Sequence, residues 1–188
     1  MYNSMSALPF IPYNILVHLA KNNEIIWKLL KYNTYDALLQ PDLTFNEKMS
    51  LIWREGAQDK YGIFLTNLIE DAIAESKCVF KLYNFYNHAS ALYNSVAVYA
   101  FEFLYGGKMS LVNYQGMPVS RGDLFINQIL LTLNGAEVGG VGKLTFLDDM
   151  SRYDFARSIV GNSKTFTGVQ LFMSVLVGDG GEVTGCGN

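Results

Sequence analysis

Gly139-Gly140-Val141-Gly142-Lys143 is the stretch closest to a phosphate-binding loop. Such a loop needs Gly-x-x-x-x-Gly-Lys-Ser/Thr between a strand and a following helix, whose N–H groups then point at the phosphate. Here Glu137 holds the first glycine's place, Leu144 follows Lys143, and the predicted helix precedes the glycines. A flexible helix-to-strand connection is the better reading. Arg121-Gly122-Asp123 spells an adhesion tripeptide, but Asp123 is also placed to cap a helix, and three-residue matches are frequent by chance. Asp148, Asp149 and Asp154 lack the alternate spacing and distal Glu of a calcium loop and read as a solvated turn. The two histidines, His18 and His88, sit in a helix and in a turn, away from any nucleophile elbow. Cys78 and Cys186 fit no metal or redox spacing, and two distant thiols make no disulfide framework, so a reducing compartment is expected. No catalytic, cofactor-binding or metal-binding residues are assigned, and no enzymatic activity is expected.

The elements that would position these groups change character near residue 76. Residues 1–76 hold nine acids against six bases, and residues 77–188 hold eight of each. Apolar spacing predicts helix from Ile11 to Tyr32, broken at Asn22-Asn23 with an Asn cap on the second half. Thr44-Phe45-Asn46-Glu47 is a capping box, with Met49, Ile52 and Trp53 as that helix's buried face. A further helix is predicted over Leu65–Ile73, with Asp71 and Glu75 turned to solvent. Beyond it, strands are predicted at Cys78–Tyr86 and Leu92–Tyr105, with Gly106-Gly107 as a hairpin turn into Met109–Tyr114. Asp123 opens a helix with Phe125, Ile129 and Leu133 on one face, closed by left-handed Asn134-Gly135. Leu144–Leu147 and Val169–Val177 complete the strands. The expected class is α+β: N-terminal helices, then a small mostly antiparallel sheet with one helix packed on it, a β-β-α-β-β core. The regions are 1–76 helical, 77–177 sheet core and 178–188 a Gly-rich flexible tail, together one compact unit.

With 188 residues, half of them hydrophobic and only 16% charged, the chain can build a full core and is not a disordered one. A net charge of −3 argues against a protein that grips nucleic acid electrostatically. No leader peptide is expected from Met1 to Phe10, and the uncharged window Leu82–Phe101 is too rich in Asn and Ser for a membrane helix. Twelve Tyr, twelve Phe and two Trp are many rings for so few charges. Leu92–Tyr105 concentrates them. One side of that strand is aliphatic: Leu92, Val96, Val98, Ala100 and Leu104. The other carries Tyr93, Ala97, Tyr99, Phe101, Phe103 and Tyr105. Tyr93, Tyr99, Phe101, Phe103 and Tyr105 are therefore the candidate subunit interface, unless residues 1–76 fold over them.

Glu24-Ile25-Ile26-Trp27-Lys28-Leu29-Leu30-Lys31-Tyr32, with Asp36-Ala37-Leu38 and Pro41-Asp42-Leu43-Thr44 after it, resembles a pattern in neck proteins of tailed bacteriophages. Arg121-Gly122-Asp123, Leu133-Asn134-Gly135, Gly140-Val141-Gly142-Lys143-Leu144 and Phe166-Thr167-Gly168-Val169 resemble the same group: head-to-tail connector, ring and tail-completion proteins, including those of crAss-like phages. The resemblance implies a virion structural protein made in the host cytoplasm and built into the neck or tail. It implies a homo-oligomeric ring, twelvefold or sixfold, that contacts portal and other neck or tail proteins. DNA would only pass through the lumen, and no membrane is involved. The resemblance transfers no catalytic residues. The competing reading is a small-molecule or peptide binding module whose pocket is the aromatic sheet face.

Overall fold

The computed structural model describes residues 8–69, 71–89, 94–139, 142–146, 156–160 and 165–178. The architecture is α+β, with helices first and a mixed, mostly antiparallel sheet after them.

Helix α1 (Ile11–Asn22) starts with Pro12 in its first turn, where a missing N–H costs nothing. Asn23 ends it and begins the next: its Oδ1 accepts from the Ile26 N–H at 2.9 Å, above α2 (Ile25–Lys31). The break expected at Asn22-Asn23 is there. Helix α3 (Phe45–Ser50) carries the full capping box, with Thr44 Oγ1 accepting from the Glu47 N–H and Glu47 reaching back to the Thr44 N–H. That reciprocal cap is worth about 1 kcal/mol. The helix is shorter than its apolar spacing suggests. Ile52 leaves it to bridge Ile63, and Trp53 lies on the extended chain beyond, its N–H bound to the Ile63 carbonyl.

The Leu65–Ile73 helix does not form. Instead Ile63–Phe64 makes a short strand, β1, Leu65 to Asn67 bends, and only Asp71–Ser76 is helical, as α4. The sheet continues with β2 (Val79–Ala89), β3 (Asn94–Gly106), β6 (Leu144–Thr145), β7 (Ala156–Val160) and β8 (Phe166–Gly178). Its order is β1-β2-β3-β8-β6, with β7 also on β8, and β1 is its parallel strand. β7 has no counterpart in the sequence reading. Strand β4 (Leu111–Tyr114) does not return on β3 through Gly106-Gly107. It pairs with β5 (Met117–Ser120) in a separate hairpin, turned by Gln115 and Gly116, both at positive φ.

Helix α5 (Arg121–Leu133) buries Phe125, Ile129 and Leu133 as expected, and Gly135 follows it at φ +81°. Its cap is Ser120, whose Oγ accepts from the Asp123 N–H, so Asp123 is not the cap. Gly122 is where α5 meets the sheet. A Cβ there would stand 2.6 Å from Tyr105 Oη and 2.8 Å from Val169 Cγ1. One large apolar cluster joins α1, α2 and α5 to β2, β3 and β8, so the helical and sheet regions share a core.

Candidate functional site

Register decides which rings can meet a partner. Phe80, Leu82 and Asn84 of β2 stand opposite Phe103, Phe101 and Tyr99 of β3, on the side covered by the helices. There Phe103 stacks on Phe125 of α5 with centroids 4.2 Å apart and planes at 4°, and Phe80 meets Phe125 edge-on at 5.1 Å. Tyr99, Phe101, Phe103 and Tyr105 are at most 5% exposed. Tyr99 Oη donates to the Leu8 carbonyl at 3.3 Å, and burial pushes its phenol up to about 12. Burial, and then the nearby Asp123, raises Tyr105 as well. Four of the five candidate interface rings therefore fill the chain's own core, where helices α1, α2 and α5 offer the largest apolar surface to pack on. Tyr93 lies outside the described residues. A binding pocket on this face would have to displace that core.

Arg121, Cys78, Lys77 and Lys48 are bound into the fold. Arg121 is fully buried at the C-terminal end of α2. Its Nη1 donates to the carbonyls of Leu29 (2.9 Å) and Tyr32 (3.0 Å), and its Nη2 to that of Thr34 (2.6 Å). A guanidinium thus answers the carbonyls that a helix end leaves unpaired. The Arg-Gly-Asp tripeptide is not presented, because only Asp123 of the three is exposed. Nη1 also lies 3.6 Å from Cys78 Sγ, yet burial outweighs that cation and pushes the thiol up to about 11. Lys77 donates to the carbonyls of Gln58, Asp59 and Tyr61, and burial lowers its pKa. Lys48, also buried, pairs with Glu24 at 2.6 Å and donates to the Ala20 carbonyl.

Glu137 and Lys143 bridge each other, Gly139 and Gly142 have positive φ, and a Cβ on Gly142 would strike the Leu176 carbonyl at 2.2 Å. Among the described residues only strands follow this glycine segment, so no helix begins there. Gly140 and Val141 lie outside the described residues, as do Asp148, Asp149, Asp154 and the 179–188 part of the tail. His18 is half-buried on α1, and His88 stands on β2, not in a turn, stacked on Tyr86. Among the described residues no three His, Cys, Asp or Glu side chains gather as metal ligands.

The opposite side of the sheet runs in bands. At its lower end Phe64, Ile73, Ala74, Val79, Leu104 and Phe166 form a second apolar cluster. Next comes a polar row, one residue per strand: Lys81, Glu102 and Gln170. Glu102 is 6% exposed. Tyr83 Oη donates to its Oε1 at 2.7 Å, Gln170 Nε2 donates to the same oxygen, and Lys81 pairs with Oε2. Above the row, Val98, Ala100 and Phe172 form a third cluster. Phe85 is the extra residue of a bulge between Asn84 and Tyr86, which reverses the parity of β2 and puts Tyr86 and His88 on this side. Here the surface is wet: Phe85 is 48%, Tyr86 39% and Leu176 50% exposed. The aliphatic side of β3 is the side that faces this banded surface, where Ile73 and Ala74 of α4 pack against Leu104.

The chain belongs to the YomW family, a phage-derived family whose match runs over residues 23–175. No curated protein and no solved structure shows significant similarity to it.

Proposed function

We propose that this chain is a structural virion protein that forms a ring in the head-to-tail connector of a tailed phage, joins portal to tail and lines the DNA channel. Membership of a phage-derived family over residues 23–175 is the observation that carries this reading. The disposition of charge supports it. The net charge is −3 and includes Arg121, which is buried, so the charge outside that core position is −4. A lumen that lets DNA slide is better neutral or acidic than basic, because Lys and Arg walls hold phosphates through counterion release. The reading gives the chain no catalytic role and no cofactor. Its place is the virion after synthesis in the host cytoplasm.

Mass spectrometry of purified virions tests it. The chain is expected at a copy number that fits a single ring of six or twelve. Its absence from virions that package and eject DNA would overturn the proposal.

A further inference from the structure

We infer that the groove between the Leu65–Asn67 bend and strand β2 is a binding site for a neutral oligosaccharide. The inference goes beyond the ring reading and does not depend on it.

The groove lies where the sheet edge opens. β1 pairs with β2 only at Phe80 and Lys81. Past Phe64 the chain bends away through Leu65, Thr66 and Asn67, while β2 runs on through Tyr83, Asn84 and Phe85. Between these two walls is an open space of about 520 Å³, within the range of roughly 300–1,000 Å³ typical of small-ligand sites. Lys81 ties the bend to β2, because its Nζ donates to the Asn67 carbonyl at 3.3 Å.

Three polar side chains on these walls are uncharged, and each has hydrogen-bonding capacity left over. Asn67 is exposed, and its carboxamide makes no hydrogen bond among the described residues, so two N–H groups and an oxygen are available. Thr66 Oγ1 accepts from the Leu68 N–H at 3.3 Å, which leaves its own O–H to donate. Asn84 and Asn87 exchange amide hydrogen bonds at 2.8 and 3.0 Å. That exchange fixes the Asn84 carboxamide, and its Oδ1 keeps a second lone pair. Leu65 and the Phe85 ring add apolar surface beside them.

This combination selects the ligand. A sugar ring presents hydroxyls that both donate and accept, around C–H faces that pack on apolar side chains. Two carboxamides and a hydroxyl beside Leu65 and Phe85 match both parts. An anion, nucleic acid included, is best held by a cation, and Lys81 is committed to Glu102. An apolar ligand would bury the amides without partners. An extended peptide added to the β2 edge would meet the bulge at Phe85, which breaks the ladder it needs.

The test is a heteronuclear NMR titration of the full chain with maltotriose and with chitotriose. Amide shifts centred on Thr66, Asn67 and Asn84 are expected. A response to maltotriose alone marks a plain glucan and to chitotriose alone an N-acetylated one, and either supports the inference. Asn67→Ala is expected to weaken binding about tenfold, the equivalent of one lost hydrogen bond. Thr66→Val reads the same wall should Asn67→Ala lose the dispersed spectrum of a folded chain. Asn46→Ala, which removes an exposed amide on α3, is expected to bind like wild type. The inference is overturned by the absence of groove shifts with either sugar up to about 10 mM, or by wild-type affinity in the groove variants. Shifts produced by a sulfated disaccharide in place of the neutral sugars would overturn it as well.

Discussion

The two sides of the sheet solve burial differently. On the helix side, rings from β2, β3 and α5 interlock, and the polar atoms among them are few: Tyr99 Oη on a carbonyl, Arg121 on three others. On the other side, apolar bands are separated by a row of charge and amide, and the last band is wet. The first side therefore holds the chain together by volume and shape. The second is divided by a buried carboxylate with three partners, and it leaves apolar side chains exposed at one end. Side-chain type alone does not assign these roles, since both sides of β3 are apolar.

The sharpest way to break this contrast is to replace Tyr99 and Phe101 by Ser together. If the rings are core, the chain unfolds: each loss costs about 3–5 kcal/mol, which together matches the whole stability of a typical domain. Loss of the near-ultraviolet and far-ultraviolet circular dichroism signals is the expected result. A folded double variant would return these rings to the interface role.

A smaller effect is expected in the banded side. Glu102→Ala leaves Lys81 without its carboxylate and removes the oxygen to which Tyr83 and Gln170 donate, at a cost of about 3 kcal/mol in urea unfolding. Replacing Lys81 and Glu102 together by Met is expected to recover most of that loss, because an apolar pair removes the desolvation along with the attraction. If Glu102→Ala unfolds at the wild-type urea concentration, the row contributes nothing to stability.

The smallest effect sharpens the contrast through pH. Cys78 and Tyr99, both on the helix side, have folded values of about 11 and about 12 against ordinary values of 9.0 and 10.0. Each is an acid that ionises first in the unfolded chain, so the unfolded state releases protons sooner and stability falls as pH rises. The loss begins near pH 9 for Cys78 and near pH 10 for Tyr99. Lys77 works the other way, since burial lowers its pKa, but it is partly exposed and its effect is screened. In a Cys186→Ser chain, which leaves Cys78 alone, alkylation at pH 8 is expected to be slow when folded and fast in urea. Equal rates would show that the thiol is not sealed.

Local signals were the legible part. The Thr44–Glu47 box, the Asn23 cap, the Phe125–Ile129–Leu133 face and the left-handed Gly135 each depend on residues within one or two turns, and each is where the sequence puts it. The errors arise where distant segments decide. Phe85 reverses the parity of β2 through a bulge, and no neighbouring residue announces it. Leu65 and Leu68 have helical spacing, but Ile63 and Phe64 are held by β2, which pulls the chain straight before a helix can start. Strand β7 is five residues, one of them Arg157, following an acidic segment that reads as a turn. For the candidate site, alternation correctly divides β3 into two sides. It cannot tell which side the helices cover, because that depends on α1, α2 and α5 arriving from residues far away in sequence.

Arg121 also sets an order of events during synthesis. Its contacts with Leu29, Tyr32 and Thr34 span 92, 89 and 87 positions. A chain still emerging from the ribosome therefore has the end of α2 bare until residue 121 appears, a delay of about 5–20 s at bacterial elongation rates. During that interval the N-terminal helices lack both this cation and the sheet they will cover. They behave as a waiting half, open to chaperones and proteases, and not as a domain that closes by itself.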